Sequence, residues 1–444
     1  MDGCLKLLRY NTGTDKKLFA SFNKFFDAVI FNSTIVAYSG KSIADLVSIY
    51  TKKYIIDPQT HIFQQTIASV SGDKGIKNSV LKYLNEYPDF YKEAVTSNRI
   101  PLSYKEFETR IDELVETIYK FEKEFVFNQI KEKEYDKYLK YANLTPEPKL
   151  IIAPYFMIKN TYSLEESERW LELNKKLLEK TIKLNLEKNS KIPIAAQIVI
   201  EKQVLKNYKL LEKIIKTYEI DGFNEIFVWI DDFNAFEASV AENKGFYKLI
   251  KKLNEIEKKP IMAYGGYESI ILCSKDSPCA IHGVAQSAGY GEYRSITPVG
   301  GGIPANKYYF YPLHQRLKME DVEHLLVKKG FFDNEIPMKK RVNTFYKRIC
   351  DCKICKEIIK DNLDNFTKFN ESNPFTIKHK NGSIQRNRAT NEALAIAAAH
   401  FLHCKEKEWK SINIDFKELK KELMKNYEEF DIHNRIDSWC DVYE

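Results

Sequence analysis

Short apolar runs rich in Ile, Val, Phe and Tyr recur along the chain, most of them followed by a segment of helical periodicity. This alternation limits the fold more than any other feature. The runs occupy residues 28–36, 53–57, 150–156, 192–198, 225–231, 260–265 and 279–285. They lack the in–out alternation of a half-exposed strand and read as strands buried on both faces. Residues 163–189, 202–218 and 236–257 read as amphipathic helices with charged outer faces. Strands alternating with helices imply a parallel sheet. Seven strands, with one unassigned, fit an α/β fold of the eight-stranded (β/α)8 TIM type. A doubly wound sheet fits less well, and no GxGxxG or Walker pattern is present.

Two regions interrupt the alternation. Residues 75–145 read as helices and are expected as an insertion between the second and third of these runs. Residues 316–444 lose strand character. The predicted organisation is a barrel over 1–315, carrying the 75–145 insertion, and a C-terminal helical zinc-binding subdomain over 316–444. No stretch approaches the ~18–20 apolar residues of a membrane span, and the first residues lack a signal-peptide core. With eight cysteines in 444 residues, three of them within six positions, the usage points to metal binding in a reducing, cytoplasmic compartment. The net charge of +7 permits a polyanionic partner without demanding one.

Cys350, Cys352 and Cys355 put three soft thiolates in one hexapeptide. Such spacing lets the backbone wrap a tetrahedral zinc ion, with one position left for a distant ligand. His379, 24 residues beyond Cys355, is the favoured fourth ligand, with His400, His403 and Cys404 as rivals. A fourth protein ligand would make the zinc structural.

In a β/α barrel, working residues gather at the C-terminal strand ends. Asn32, Ser33, Asp57, His61, Tyr155, Gln197, Asp231, Asp232 and the stretch from Gln286 to Arg294 fall there. Asp57 is the first candidate for general acid/base work, with His61 beside it; the plain alternative is that it starts a turn. Asp231 and Asp232 are adjacent like charges suited to proton transfer, or one of them caps the next helix. Glycines 289, 291 and 300–302 form the densest Gly region, where Gly301 and Arg294 suit a phosphate. The aromatic and basic stretch 307–316 either packs the tail on the barrel or stacks on nucleic acid. His282, Cys273 and Cys279 read as core residues.

The late CxCxxC followed by His, after a β/α barrel, resembles the tRNA-guanine transglycosylase superfamily, including relatives that insert 7-deazaguanines into DNA. Residues 259–266 look like its seventh strand. Asp57, Phe63 and Gln64 match its Asp-Ser-Gly-Gly-Phe-Gln segment, and the helix from Arg388 to His400 is similar to its Arg-Ala-x-Glu helix. The resemblance implies exchange of guanine or a 7-deazaguanine base in tRNA or DNA, with structural zinc. Its eighth-strand nucleophilic Asp has no counterpart here, which leaves Glu292 for that role or the covalent mechanism lost. The alternatives are a catalytically silent nucleic-acid-binding barrel and a nucleoside N-glycosidase. The expected partners are nucleic acid and a purine or 7-deazapurine base, with no membrane; a homodimer or partner subunit is compatible with the sequence.

Overall fold

A computed structural model describes residues 3–10, 14–50, 53–72, 75–142, 147–289, 291–297, 306–379, 382–432 and 436–443. Eight strands run parallel: β1 (Leu5–Tyr10), β2 (Ala28–Asn32), β3 (Tyr54–Asp57), β4 (Ile151–Ile152), β5 (Ile194–Ile200), β6 (Glu225–Ile230), β7 (Lys259–Met262) and β8 (Gly283–Gln286). Their order is β3-β2-β1-β8-β7-β6-β5-β4. The two ends of this sheet meet where the Lys149 amide donates to the Tyr54 carbonyl at 2.7 Å, so the sheet is a nearly closed α/β barrel. The strand missing from the sequence pattern is β1. Its apolar run is broken by Lys6 and Arg9, yet Arg9 is 1% exposed. The run at 28–36 is strand only to Asn32; Ser33–Ile49 is helix.

Period-two alternation divides each strand between two cores. Leu7, Ile30, Ile55, Val199, Phe227, Ile261 and Ala285 point into the barrel. Leu8, Val29, Ile56, Ile198, Val228, Met262 and Val284 pack under the helices. Full burial of each larger side chain stabilises by roughly 1.5–3 kcal/mol, which makes slippage by one residue prohibitive.

The ring of helices corrects two boundaries. Helix Ile111–Glu132 packs against both Ser33–Ile49 and Leu164–Glu187, so the expected insertion supplies the third ring helix. Its buried Glu122 accepts the Ile152 amide of β4 at 2.9 Å. The eighth ring position is filled by Asn391–Lys410, which packs against Thr14–Phe22 and Tyr267–Ile271. The division expected at residue 315 is therefore not how the elements pack. A module spanning 306–390 interrupts the barrel between β8 and its helix.

This module is not purely helical. It carries an antiparallel pair, β9 (Lys307–Phe310) with β10 (Gln315–Lys318), then helices Met319–Lys328, Met338–Arg348 and Lys353–Ile359. A second antiparallel pair follows, β11 (Ser372–His379) with β12 (Gly382–Ala389). Tyr308, Tyr309 and Phe310 are buried, so the aromatic stretch packs the module onto its neighbours. Cys273, read from sequence as a buried thiol, is instead paired with Cys4, Cα atoms 6.0 Å apart. Cys279 is a free buried thiol.

Candidate functional site

At the C-terminal end of the barrel, inward positions change from apolar to polar. Arg9 on β1 donates from Nε to the Ala263 carbonyl (2.7 Å), and from Nη1 to Asn32 Oδ1 (3.0 Å) and Asp57 Oδ2 (2.9 Å). The Tyr155 hydroxyl donates to the other Asp57 oxygen at 2.6 Å, and the Gln59 amide to the same atom at 3.2 Å. Asp57 thus does start a turn, but with the Arg9 guanidinium and Tyr155 it also forms a buried polar centre. The guanidinium lies over Tyr264, 4.3 Å from the ring centroid.

His61 stacks on Tyr155 (5.7 Å between centroids) and meets Trp229 edge-on (5.3 Å). Burial pushes its pKa down to about 4, against Asp57 and with Arg9 adding to the effect, so the imidazole is neutral near pH 7. Gln197 points into the barrel between Ala195 and Val199. It is 1% exposed, and neither end of its amide has a hydrogen-bond partner; His61 Nδ1 and Arg9 Nη2 are also without one. Unsatisfied buried amides are costly and rare, and a site that binds a polar ligand is one reason to retain them.

Residues 291–297 fold over this centre. Trp229 Nε1 donates to the Arg294 carbonyl (3.0 Å), as does the Asp232 amide (3.1 Å). Asp231 Oδ1 accepts Ser295 Oγ (3.1 Å) and the Ile296 amide (2.7 Å), and Ile296 plugs the apolar interior. Neither aspartate caps the next helix: Ser239 does, in a capping box with Glu242. Asp231 is half-buried, whereas Asp232 is exposed with a left-handed φ of 43°.

Two expected site residues face elsewhere. Glu292 pairs with Lys405 Nζ at 2.6 Å and lies 3.8 Å from Arg316 Nε. Lys405 also pairs with Glu408 (2.9 Å), which in turn takes His314 Nδ1 (2.7 Å). Glu292 therefore belongs to the seam between barrel and module. Gln286 falls on the outer face of β8 by strand alternation and accepts the Trp409 indole at 3.1 Å. Asp57, Asp231 and Glu292 share no partner among the described residues. Gly301 lies outside the described residues. A cavity of about 490 Å³ lies at the opposite, N-terminal end of the barrel, lined by Leu5, Lys149, Glu225, Lys259 and His282, away from the polar centre.

The three late cysteines converge with His400, all buried, their ligand atoms within 4.8 Å of one another. Among the described side chains, it is His400 that fills the place expected of His379. His379 ends β11 opposite Gly382, and His403 turns to the Phe22 ring at 4.8 Å. His400 Nε2 donates to the Tyr309 carbonyl at 2.8 Å, which leaves the Nδ1 lone pair facing Cys352 Sγ (3.2 Å) and Cys355 Sγ (3.5 Å). A tetrahedral ion with bonds of about 2.0–2.3 Å needs ligand separations of roughly 3.5 Å, so the set fits, and the carbonyl supplies the orienting partner that metal-bound imidazoles take. Cys404, one turn from His400, sits 3.8 Å from Cys350 Sγ. The Cys350 thiol, then those of Cys355 and Cys404, pull Cys352 well below the usual thiol range, while burial pushes Cys355 above it. The cluster can hold a metal ion.

Arg9, Trp229, Tyr264 and Lys405 escaped the sequence pattern. The one signal was a basic residue at an inward position of an otherwise apolar strand. No protein-family model and no curated protein matches the chain. Among the described residues, no helix is long and apolar enough to cross a membrane.

Proposed function

We propose that the barrel is a base-exchanging enzyme of the transglycosylase type, acting on guanine or a 7-deazaguanine in tRNA or DNA. The observation that carries this reading is the buried, unpartnered Gln197 amide facing into the barrel whose mouth holds the Asp57–Arg9–Tyr155 centre. A primary amide offers one donor and one acceptor side by side, the complement of a purine edge that carries an acceptor and a donor. Tyr155, Trp229, Tyr264 and His61 line the centre with aromatic rings at differing inclinations, apolar surface against which a base can be held.

With Glu292 committed to Lys405, Asp231 is the remaining carboxylate for the sugar. In the proposed exchange its oxygen bonds to the anomeric carbon as the glycosidic C–N bond breaks. The departing base keeps the bond's electron pair and takes a proton drawn from solvent and relayed by Asp57. The incoming base then forms the new C–N bond, returns a proton to Asp57 and frees Asp231. The Ser295 and Ile296 contacts to Asp231 must open first, and Arg294 on the same segment is suited to a nucleotide phosphate. Zinc at Cys350, Cys352, Cys355 and His400 would be structural, clamping the module to the eighth ring helix.

A silent nucleic-acid-binding barrel is the second reading, favoured by the 0% exposure of Asp57 beneath residues 291–297. Labelled guanine or 7-deazaguanine incubated with tRNA or DNA separates the readings. Incorporation lost in both Asp57→Asn and Asp231→Asn supports exchange. Binding without incorporation supports the silent module, and release of free base without replacement supports an N-glycosidase.

A further inference from the structure

The positive charge of this protein is not spread along it. Residues 306–390 hold 18 Lys and Arg against 10 Asp and Glu, whereas the rest of the chain is balanced at 51 against 52. Within the module the sharpest asymmetry is the β11–β12 ribbon: from 372 to 391 there are four bases, Lys378, Lys380, Arg386 and Arg388, and no acidic residue.

The described side chains of the ribbon are turned outward. Residues 372–376, 383 and 385–388 are all exposed, on both faces of the pair. Phe375 is 41% exposed and stands directly across from Arg386, and Asn373 across from Arg388. Neither arginine has an ion-pair partner among the described residues. Two-stranded ribbons exposed on both faces gain little from burial and are marginal in water. An aromatic beside an unpaired guanidinium, with amides and hydroxyls around them and no carboxylate, suits a phosphate backbone and stacked bases. Eight residues per strand reach about 26 Å, and the major groove of a duplex, about 12 Å wide, admits a two-stranded ribbon.

The ribbon is also anchored. The Thr390 amide donates to the Glu371 carbonyl at 2.9 Å across its base, and Thr390 caps the helix that carries His400. The metal cluster therefore fixes the root of the ribbon.

We infer that the β11–β12 ribbon is an arm that grips the sugar-phosphate backbone of a nucleic acid, with Arg386 and Arg388 on phosphates and Phe375 against a base or sugar. The inference deepens the base-exchange reading by giving its nucleic-acid partner a point of attachment, and binding can be measured without turnover. Full-length protein is titrated against a labelled DNA duplex and a labelled tRNA by fluorescence anisotropy, across a salt series. Arg386→Ala with Arg388→Ala is expected to weaken binding about tenfold or more near 0.1 M salt and to lower the salt slope by about 2. Phe375→Ala should weaken binding with the slope unchanged. Asp57→Asn should bind like the native protein, and a native protein that shows no exchange but retains ribbon-dependent binding would reject the enzyme and keep the arm. The arm is overturned if the double variant binds with native affinity and slope, or if the native protein binds neither nucleic acid. It is equally overturned if polyglutamate competes as well as nucleic acid, or if Lys339→Ala with Lys340→Ala, on the module's basic helix, produces the same loss. Unchanged circular dichroism and metal content confirm that the variants fold.

Discussion

The barrel mouth and the seam beneath the module both bury charge, but they finish it differently. In the seam, Lys405 has Glu292 at 2.6 Å and Glu408 at 2.9 Å, and Glu408 has His314 at 2.7 Å. In the mouth, Arg9 and Asp57 satisfy each other, yet Gln197, His61 Nδ1 and Arg9 Nη2 have nothing. The seam's charges each have an opposite charge close by, although Glu292 Oε1, Glu408 Oε2 and Gln286 Nε2 lack a hydrogen bond; the mouth differs in leaving both ends of one neutral amide, Gln197, without a partner. The contrast places Glu292 in a paired seam and favours the Asp57 centre for the proposed chemistry, although both acids lie near the end of a barrel strand.

The largest effect should come from the metal cluster. Cys352→Ser or His400→Ala should abolish binding of about one metal per chain and lower the thermal midpoint steeply, because binding free energy on the order of 10 kcal/mol feeds the fold of such sites. His379→Ala should leave metal content unchanged. Metal analysis with calorimetry reads both.

Next come the two ion pairs, where the contrast between mouth and seam can be broken. Arg9→Met takes the partner from the buried Asp57, and Lys405→Met from both Glu292 and Glu408; each change should cost about 3–5 kcal/mol in urea unfolding. Adding Asp57→Asn to the first, or Glu292→Gln to the second, should recover part of it. Only the Asp57 change should remove exchange. Equal loss of exchange in Glu292→Gln would erase the distinction between mouth and seam.

A smaller effect is tied to pH. His61 has its folded pKa depressed from 6.5 to about 4, so between those values the unfolded chain binds the extra proton. Its contribution is complete above pH 6.5 and lost as pH falls toward 4, by about 3 kcal/mol at most. His61→Gln should flatten that part of the stability–pH profile. The smallest change is in Gln197→Met, which replaces an unsatisfied amide with an apolar chain of similar volume. It should alter stability by under ~1 kcal/mol, or raise it, while weakening binding of the free base. A large loss of stability would mean the amide is structural after all.

What was legible in the sequence follows the same physics. Seven strands announced themselves because burial on both faces writes continuous apolar runs. β1 did not, since Lys6 and Arg9 interrupt it, and the burial of Arg9 makes sense only once Asp57 is known to lie beside it. The thiolate triplet was readable because its members are adjacent. The fourth ligand was not, because the β11–β12 ribbon separates Cys355 from His400 in sequence and His379 offered the shorter loop. The usable hint was His400 and Cys404 spaced by four on one helix, which puts both on one face. Glu292 sat at a suggestive strand end, and nothing local announced that Lys405 would claim it.

Because the module is spliced between β8 and the helix Asn391–Lys410, the final stave of the barrel is made long after the other seven. During synthesis the strands must wait with one flank unroofed, exposing apolar surface, until the last tenth or so of the chain emerges. The helix that closes the flank is also the one that brings His400 to the thiolates. If the cluster holds the ion it can accommodate, supply of that ion becomes a condition on assembly, and a cell short of it would accumulate open barrels rather than merely less stable ones.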